Sequence, residues 1–217
     1  MMDCEFVIRP FQKADRDALL KVAADTAFFG DPVEYFMEDR RIFLDAFYVY
    51  YTDHEPEHSW VATYEECVIG FLTGCFDTTL QREFTARVLE PKTLRGTLSG
   101  KYRMGKKFFR YLLNYSMSKI RSPKNHLDLL QYPAHFHINI IKEWRGKGIG
   151  KNLIERFLDQ LKAADICGVH LQTTSYNKAA LYLYEKMGFQ LLFSTHSYLW
   201  QNVVNEPIFE LTYGMKL

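Results

Sequence analysis

Hydrophobic positions change period several times along the chain, and each change marks an element. Cys4 to Arg9 reads as a first strand, closed by Pro10. From Asp15 to Ala24 the apolar residues Ala18, Leu19 and Val22 share one helical face. Tyr35 to Tyr51 is a second helical region, rich in aromatics. His58 to Tyr64 and Cys67 to Cys75 predict a hairpin over Glu65-Glu66, a turn without the usual glycine or asparagine. Tyr102 to Ile120 predicts a helix, and Pro123 and Pro133 bracket a loop. Ala134 to Ile141 predicts a strand, Lys151 to Ala164 a helix, and Gly168 to Thr174 a strand. Asn177 to Met187 predicts a helix stopped by Gly188. Phe189 to Trp200 and Pro207 to Met215 are the last strands, expected antiparallel.

The order is βαα, a hairpin, an insertion, then βαβαββ, which is mixed α/β. A length of 217 residues suits one substantial core, hence a single domain over 1–217 with a helical insertion at 77–131. With 17 Phe and 14 Tyr the chain can fill such a core. A formal net charge of +1 gives the whole molecule no strong pull on nucleic acid or anionic lipid. No apolar run reaches about 18 residues, so no membrane span is expected. The charged start MMDCEFVIRPF does not read as a signal peptide, which leaves the cytoplasm as the default location. Cys4, Cys67, Cys75 and Cys167 are scattered without a CxxC pair, so buried free thiols are expected and no metal site.

The sharpest chemical signal is Tyr132 to Gly150, YPAHFHINIIKEWRGKGIG, followed at once by the amphipathic KNLIERFLDQLKAAD. Strand, glycine turn and helix point several unpaired N–H groups at one spot beside a helix N-terminus, a cradle for phosphate. Neither GxGxxG nor GxxxxGK[ST] is present, and the turn follows the fourth strand, not the first. Both facts argue against nicotinamide-dependent enzymes and P-loop NTPases.

Arg145, Gly148 and Gly150 resemble the [QR]-x-x-G-x-[GA] turn of the GNAT superfamily, the GCN5-related N-acyltransferases. Asn177, Ala180, Tyr184, Gly188 and Phe189 resemble that superfamily's second block, N-x-x-A-x-x-x-Y-x-x-x-G-F. The likeness is tight over about residues 132–193 and loose over 1–76. More narrowly, YPAHFHINII and GVHL are similar to the acetyltransferase-like domain attached to O-GlcNAcases and to its free-standing bacterial relatives. These residues contain no glycosidase pattern, so hydrolysis of sugars is not implied.

The resemblance implies a GNAT-like fold, a mixed central sheet flanked by helices, with acetyl-CoA as acyl donor and a primary amine as acceptor. It implies direct attack in a ternary complex. Arg145 and the backbone of Gly146, Lys147, Gly148, Ile149, Gly150 and Lys151 would hold the pyrophosphate. Backbone of Ile138 and Ile140 would carry the pantetheine arm, and Asn177, in an N-cap position, would contact it. Tyr184 would protonate the departing thiolate, with core packing as its bland alternative. The family's usual β4 carboxylate falls at Ala134, so it is missing here. His135 and His137 share a strand face nearby and are candidate bases. A hydrogen-bonded core or subunit-interface role competes for both, and a homodimer stays open.

Residues 91–127 hold ten Lys or Arg and no Asp or Glu. A solvated basic face over an aromatic core explains this stretch, a wall of the acceptor site competes, and nucleic acid is disfavoured. An inert acyl-CoA-binding or protein-interaction domain is the alternative function.

Overall fold

A computed structural model of the chain describes residues 5–122, 125–201 and 203–217. The expected strand start at Cys4 and the bracketing Pro123 lie outside them.

The sheet is seven-stranded, in the order β1-β2-β3-β4-β5-β7-β6. Its strands are β1 (Val7–Pro10), β2 (Ser59–Tyr64), β3 (Cys67–Cys75), β4 (Ala134–Ile140), β5 (Gly168–Thr174), β6 (Gln190–His196) and β7 (Phe209–Lys216). Every neighbouring pair is antiparallel except β4 and β5. The β2–β3 turn forms without glycine because Glu65 and Glu66 both take positive φ, 46° and 64°.

Helix α6 (Ile149–Ala163) covers one face. Leu153, Ile154, Phe157 and Leu161 recur at helical spacing and are 0% exposed. Each such side chain contributes about 2 kcal/mol by leaving water. Helix α7 (Lys178–Lys186) adds Tyr184 to the same core, beside Phe136 and Phe189. Helix α1 (Arg16–Asp25) packs Leu19, Val22 and Ala23 with Val61 and Phe71 in a separate core cluster.

The second helical region is broken: α2 spans only Arg40–Phe47, and a π-type turn follows at Tyr50–His54. Between β3 and β4 lie α3 (Thr78–Phe84), α4 (Glu90–Leu98) and α5 (Lys106–Arg121). The last starts four residues later than its apolar pattern proposes, after Gly105. Tyr102, Phe108 and Tyr111 join Phe28, Phe36 and Trp200 in an aromatic cluster. Phe109, Leu112, Leu113 and Ile120 of α5 instead face water.

The expectation of buried thiols needs correcting. Only Cys75 is buried among the described cysteines; Cys67 starts a strand at the hairpin, Cys167 lies on the loop into β5, and both are exposed. Cys4 is outside the described residues.

Candidate active site

The only parallel pair of the sheet comes apart soon after it forms. β4 and β5 pair at Ala134–Val169 and His135–His170 and no further. The Ile141 N–H bonds the Ile69 carbonyl on the β3 side, at 3.0 Å. Backbone groups alternate sides along a strand, so Ile138 and Ile140 turn theirs to the other edge, into the gap. Their side chains point to the α6 face, where both pack against the core.

At the end of this gap stands the glycine turn. Gly148 caps α6 at φ 84°, a left-handed backbone. No backbone N–H from Gly146 to Lys151 finds an acceptor among the described residues; the first helical bond is Asn152 N–H to Gly148 O, 3.1 Å. Six consecutive donors at a helix start are therefore left without an acceptor among the described residues. Side chains near them are parked. Lys147 lies over the Trp144 ring at 4.1 Å, and Lys151 pairs with Glu155 at 3.5 Å. Arg145 Nε donates to Ile140 O at 3.0 Å, and Nη2 to Gly30 O at 3.3 Å.

Gly150 has a packing reason of its own. A Cβ there would stand 3.0 Å from Leu183 Cδ2 and 3.4 Å from Ile140 Cδ1. Its bare Cα lets α6 begin against α7 and β4, so its side chain position serves packing and only its N–H belongs to the cradle. At Gly148 a Cβ would meet nothing closer than 3.8 Å, which leaves that approach open to a ligand.

Of the three tyrosines around α7, Tyr176 and Tyr182 are exposed and Tyr184 is buried. Its ring packs on Phe136, Phe189 and Tyr213. Its hydroxyl has no hydrogen-bond partner among the described residues, and burial raises its pKa, so it stays protonated. Asn177 occupies the N-cap position of α7 but makes no capping bond with its side chain. That side chain is exposed and free to meet a ligand.

His135 and His137 face the opposite side of the sheet from Tyr184. His135 is buried, with partners at both ring nitrogens: Tyr51 Oη at 2.6 Å on Nε2, Thr78 Oγ1 at 2.8 Å on Nδ1. Burial, then the neighbouring His137 and His170, hold its pKa well down. His137 meets Tyr51 Oη at 3.2 Å through Nε2 and lies beside the Tyr48 ring. Its side chain is exposed to solvent, with protein packed around part of the ring. These surroundings, with His170, lower its pKa to about 4. Asn139 does not orient either ring; it bonds Tyr48 Oη and Thr26 Oγ1. No group of three metal-ligating side chains exists among the described residues.

The tyrosine and threonine that hold these histidines were not legible in the sequence. Tyr51 lies 84 residues from His135, and Thr78 lies 57 away. The π-type turn that carries Tyr51 has no local signature in the chain.

A pocket of about 520 Å³ opens beside Tyr176 and is lined also by Phe28, Tyr35, Arg110 and Glu206. Neither Tyr184 nor His137 lines it.

Residues 126–189 match the family model of the acetyltransferase (GNAT) family. The solved structure of SsHAT superposes with a TM-score of 0.73, at 24% identity over 98% of each chain. The fold is that of the GNAT acetyltransferases. A mutant of agmatine N-acetyltransferase in its apo form superposes at 0.59 with 16% identity, over 98% of this chain and 99% of that one. So does yncA from Salmonella typhimurium, solved with its cofactor acetyl-CoA, at 0.56 with 13% identity over 98% and 94%. In the GNAT frame the cradle, the gap and Tyr184 lie on or beside the matched segment. No described helix is long and apolar enough to cross a membrane.

Proposed function

We propose that the chain is an N-acetyltransferase that moves acetyl from acetyl-CoA to a primary amine by direct attack in a ternary complex. One observation carries this reading: six free N–H groups at the start of α6 adjoin an open strand edge. A ligand with a phosphate end and a strand-like amide arm fits that pair of features, and acetyl-CoA is such a ligand. Gly146 to Lys151 would hold the pyrophosphate, and the backbone of Ile138 and Ile140 the pantetheine arm. Arg145 would add charge from where it already braces the turn, and Asn177 would contact the arm.

Within the gap the thioester can be reached from both sheet faces. From the α7 side Tyr184 would donate a proton to the sulfur as the C–S bond breaks. From the other side His137, exposed to solvent, would accept a hydrogen bond from the amine. His135, closed at both nitrogens, would act behind it. The aromatic pocket with Glu206 and Arg110 supports an acceptor entrance walled in part by the insertion at 77–131. We read 1–217 as one domain, because one sheet takes strands from both ends of the chain. The cytoplasm, where acetyl-CoA is available, suits the reading. The narrower likeness to the acetyltransferase-like domain of O-GlcNAcases belongs with it, resting on residues 132–141 and 168–171.

Titration calorimetry with acetyl-CoA, followed by transfer assays on a panel of primary amines, tests the proposal. Absence of acetyl-CoA binding would overturn it. Saturable binding without turnover on the panel would favour the inert acyl-CoA-binding alternative.

A further inference from the structure

A chain of hydrogen bonds on the α1 side of β4 has a direction fixed at its inner end. The Thr78 hydroxyl donates to the Pro133 carbonyl oxygen at 2.6 Å, and a carbonyl can only accept. That uses the one hydroxyl proton of Thr78, so its oxygen must accept from His135 Nδ1, 2.8 Å away. His135 therefore carries its proton on Nδ1, and its neutral ring keeps a lone pair on Nε2. The Tyr51 hydroxyl, 2.6 Å from that lone pair, donates to it. Tyr51 oxygen is then left to accept from His137 Nε2 at 3.2 Å. His137 thus carries its proton on Nε2, and its bare nitrogen is Nδ1. No described residue offers that Nδ1 a hydrogen bond.

The links are protected from water. Thr78 is 2% exposed and Tyr51 2%, while His137 at the outer end is exposed. Cys75 Sγ sits 3.2 Å from His135 Nδ1 and shares the proton there. Its thiol is pushed up to about 12, chiefly by burial, so it stays protonated. Burial likewise keeps His135 neutral, as the relay requires.

We propose that Thr78, His135 and Tyr51 are positioning residues that hold His137 in its Nε2–H tautomer and present the Nδ1 lone pair to the acceptor amine. This rests on the acetyl-transfer reading. In the step, the ammonium loses its first proton to solvent, and His137 Nδ1, too weak a base to take that proton, accepts a hydrogen bond from the neutral amine. The freed nitrogen lone pair bonds to the thioester carbon, and the C–S bond breaks. The second nitrogen proton leaves to solvent, balancing the one Tyr184 draws back after protonating the thiolate.

The test starts with the unaltered chain, ¹⁵N-labelled, in long-range ¹H–¹⁵N spectra of its imidazoles at pH 7, assigned with His135→Gln and His137→Gln. The expected pattern is a protonated Nδ1 on His135, the minor form for free histidine, and a protonated Nε2 on His137. A protonated Nε2 on His135 would overturn the proposal. Tyr51→Phe, checked for unchanged circular dichroism, should leave His137 as a mixture of tautomers. With agmatine and a lysine-containing peptide as acceptors, its kcat should fall about tenfold or more with the acetyl-CoA KM held. Thr78→Ser should keep both the spectrum and the rate, and Thr78→Val should lose both. An undiminished kcat in Tyr51→Phe would also overturn the proposal. If the unaltered chain shows the expected tautomers but acetylates neither acceptor nor any other amine, the relay stands on the spectra and the proposed function fails.

Discussion

Tyr184 and His137 lie on opposite faces of the sheet, on either side of the gap where β4 leaves β5. Phe136, which packs on Tyr184, and His137 are consecutive on β4, so strand alternation sends their side chains apart. Neither the tyrosine hydroxyl nor His137 Nδ1 has a hydrogen-bond partner among the described residues. A thioester held in the gap would meet a proton donor from one face and an acceptor from the other.

Tyr184→Phe removes only the donor. Its turnover should fall by about a hundredfold, as expected when a positioned acid is lost. Acetyl-CoA affinity should change little, because the ring packing on Phe136 and Phe189 is kept. Single-turnover kinetics beside calorimetry separate the two quantities. An unchanged chemical rate would remove the hydroxyl from the mechanism.

At the cradle, Gly148→Asn is the cleaner substitution, since asparagine tolerates a left-handed backbone and a Cβ there comes no closer to protein than 3.8 Å, at Asn152 Nδ2. The added group would occupy the approach to the N–H row and weaken acetyl-CoA binding about tenfold, roughly 1.4 kcal/mol. Gly148→Val should in addition lower the melting temperature, because φ 84° strains a β-branched residue. Equal acetyl-CoA affinity in the asparagine variant would place the pyrophosphate elsewhere.

Arg145 braces the loop after α1 through its bond to Gly30 O. Arg145→Ala should cost about 1 kcal/mol of stability. It should also speed hydrogen exchange of the Gly30 amide, which otherwise bonds Thr26 O at 3.2 Å. Unchanged exchange would show that the loop holds itself.

Acid should destabilise the fold through the buried histidines. His170 donates from Nδ1 to Tyr132 O at 2.9 Å, and burial lowers its pKa to about 4 from 6.5; Arg82 and His135 face it. Between those values the unfolded chain binds a proton that the folded chain refuses, so stability is full above pH 6.5 and falls as pH drops toward 4. His170→Asn keeps a donor for the Tyr132 carbonyl without the titration. It should shrink the stability lost between pH 7 and pH 5 by roughly 2 kcal/mol. Urea midpoints at the two pH values measure this, and an equal loss in both proteins would exclude His170 as a source.

What the chain decides by itself is local. The strand over 134–140, the amphipathic face of α6, the stop at Gly188 and the free N–H groups of the glycine turn follow from neighbours in sequence, because backbone geometry and helix periodicity act over a few residues. The two blocks that resemble GNAT proteins are legible for the same reason, since each is one contiguous turn and its helix. The parting of β4 from β5 needed the tertiary structure, as did the burial of Tyr184 while Tyr176 and Tyr182 are exposed. So did the difference between His135 and His137, identical in type and two residues apart. Tyr51 and Thr78 separate them by arriving from distant segments, and only a packed core can force the direction of a hydrogen-bond chain that crosses 84 residues of sequence.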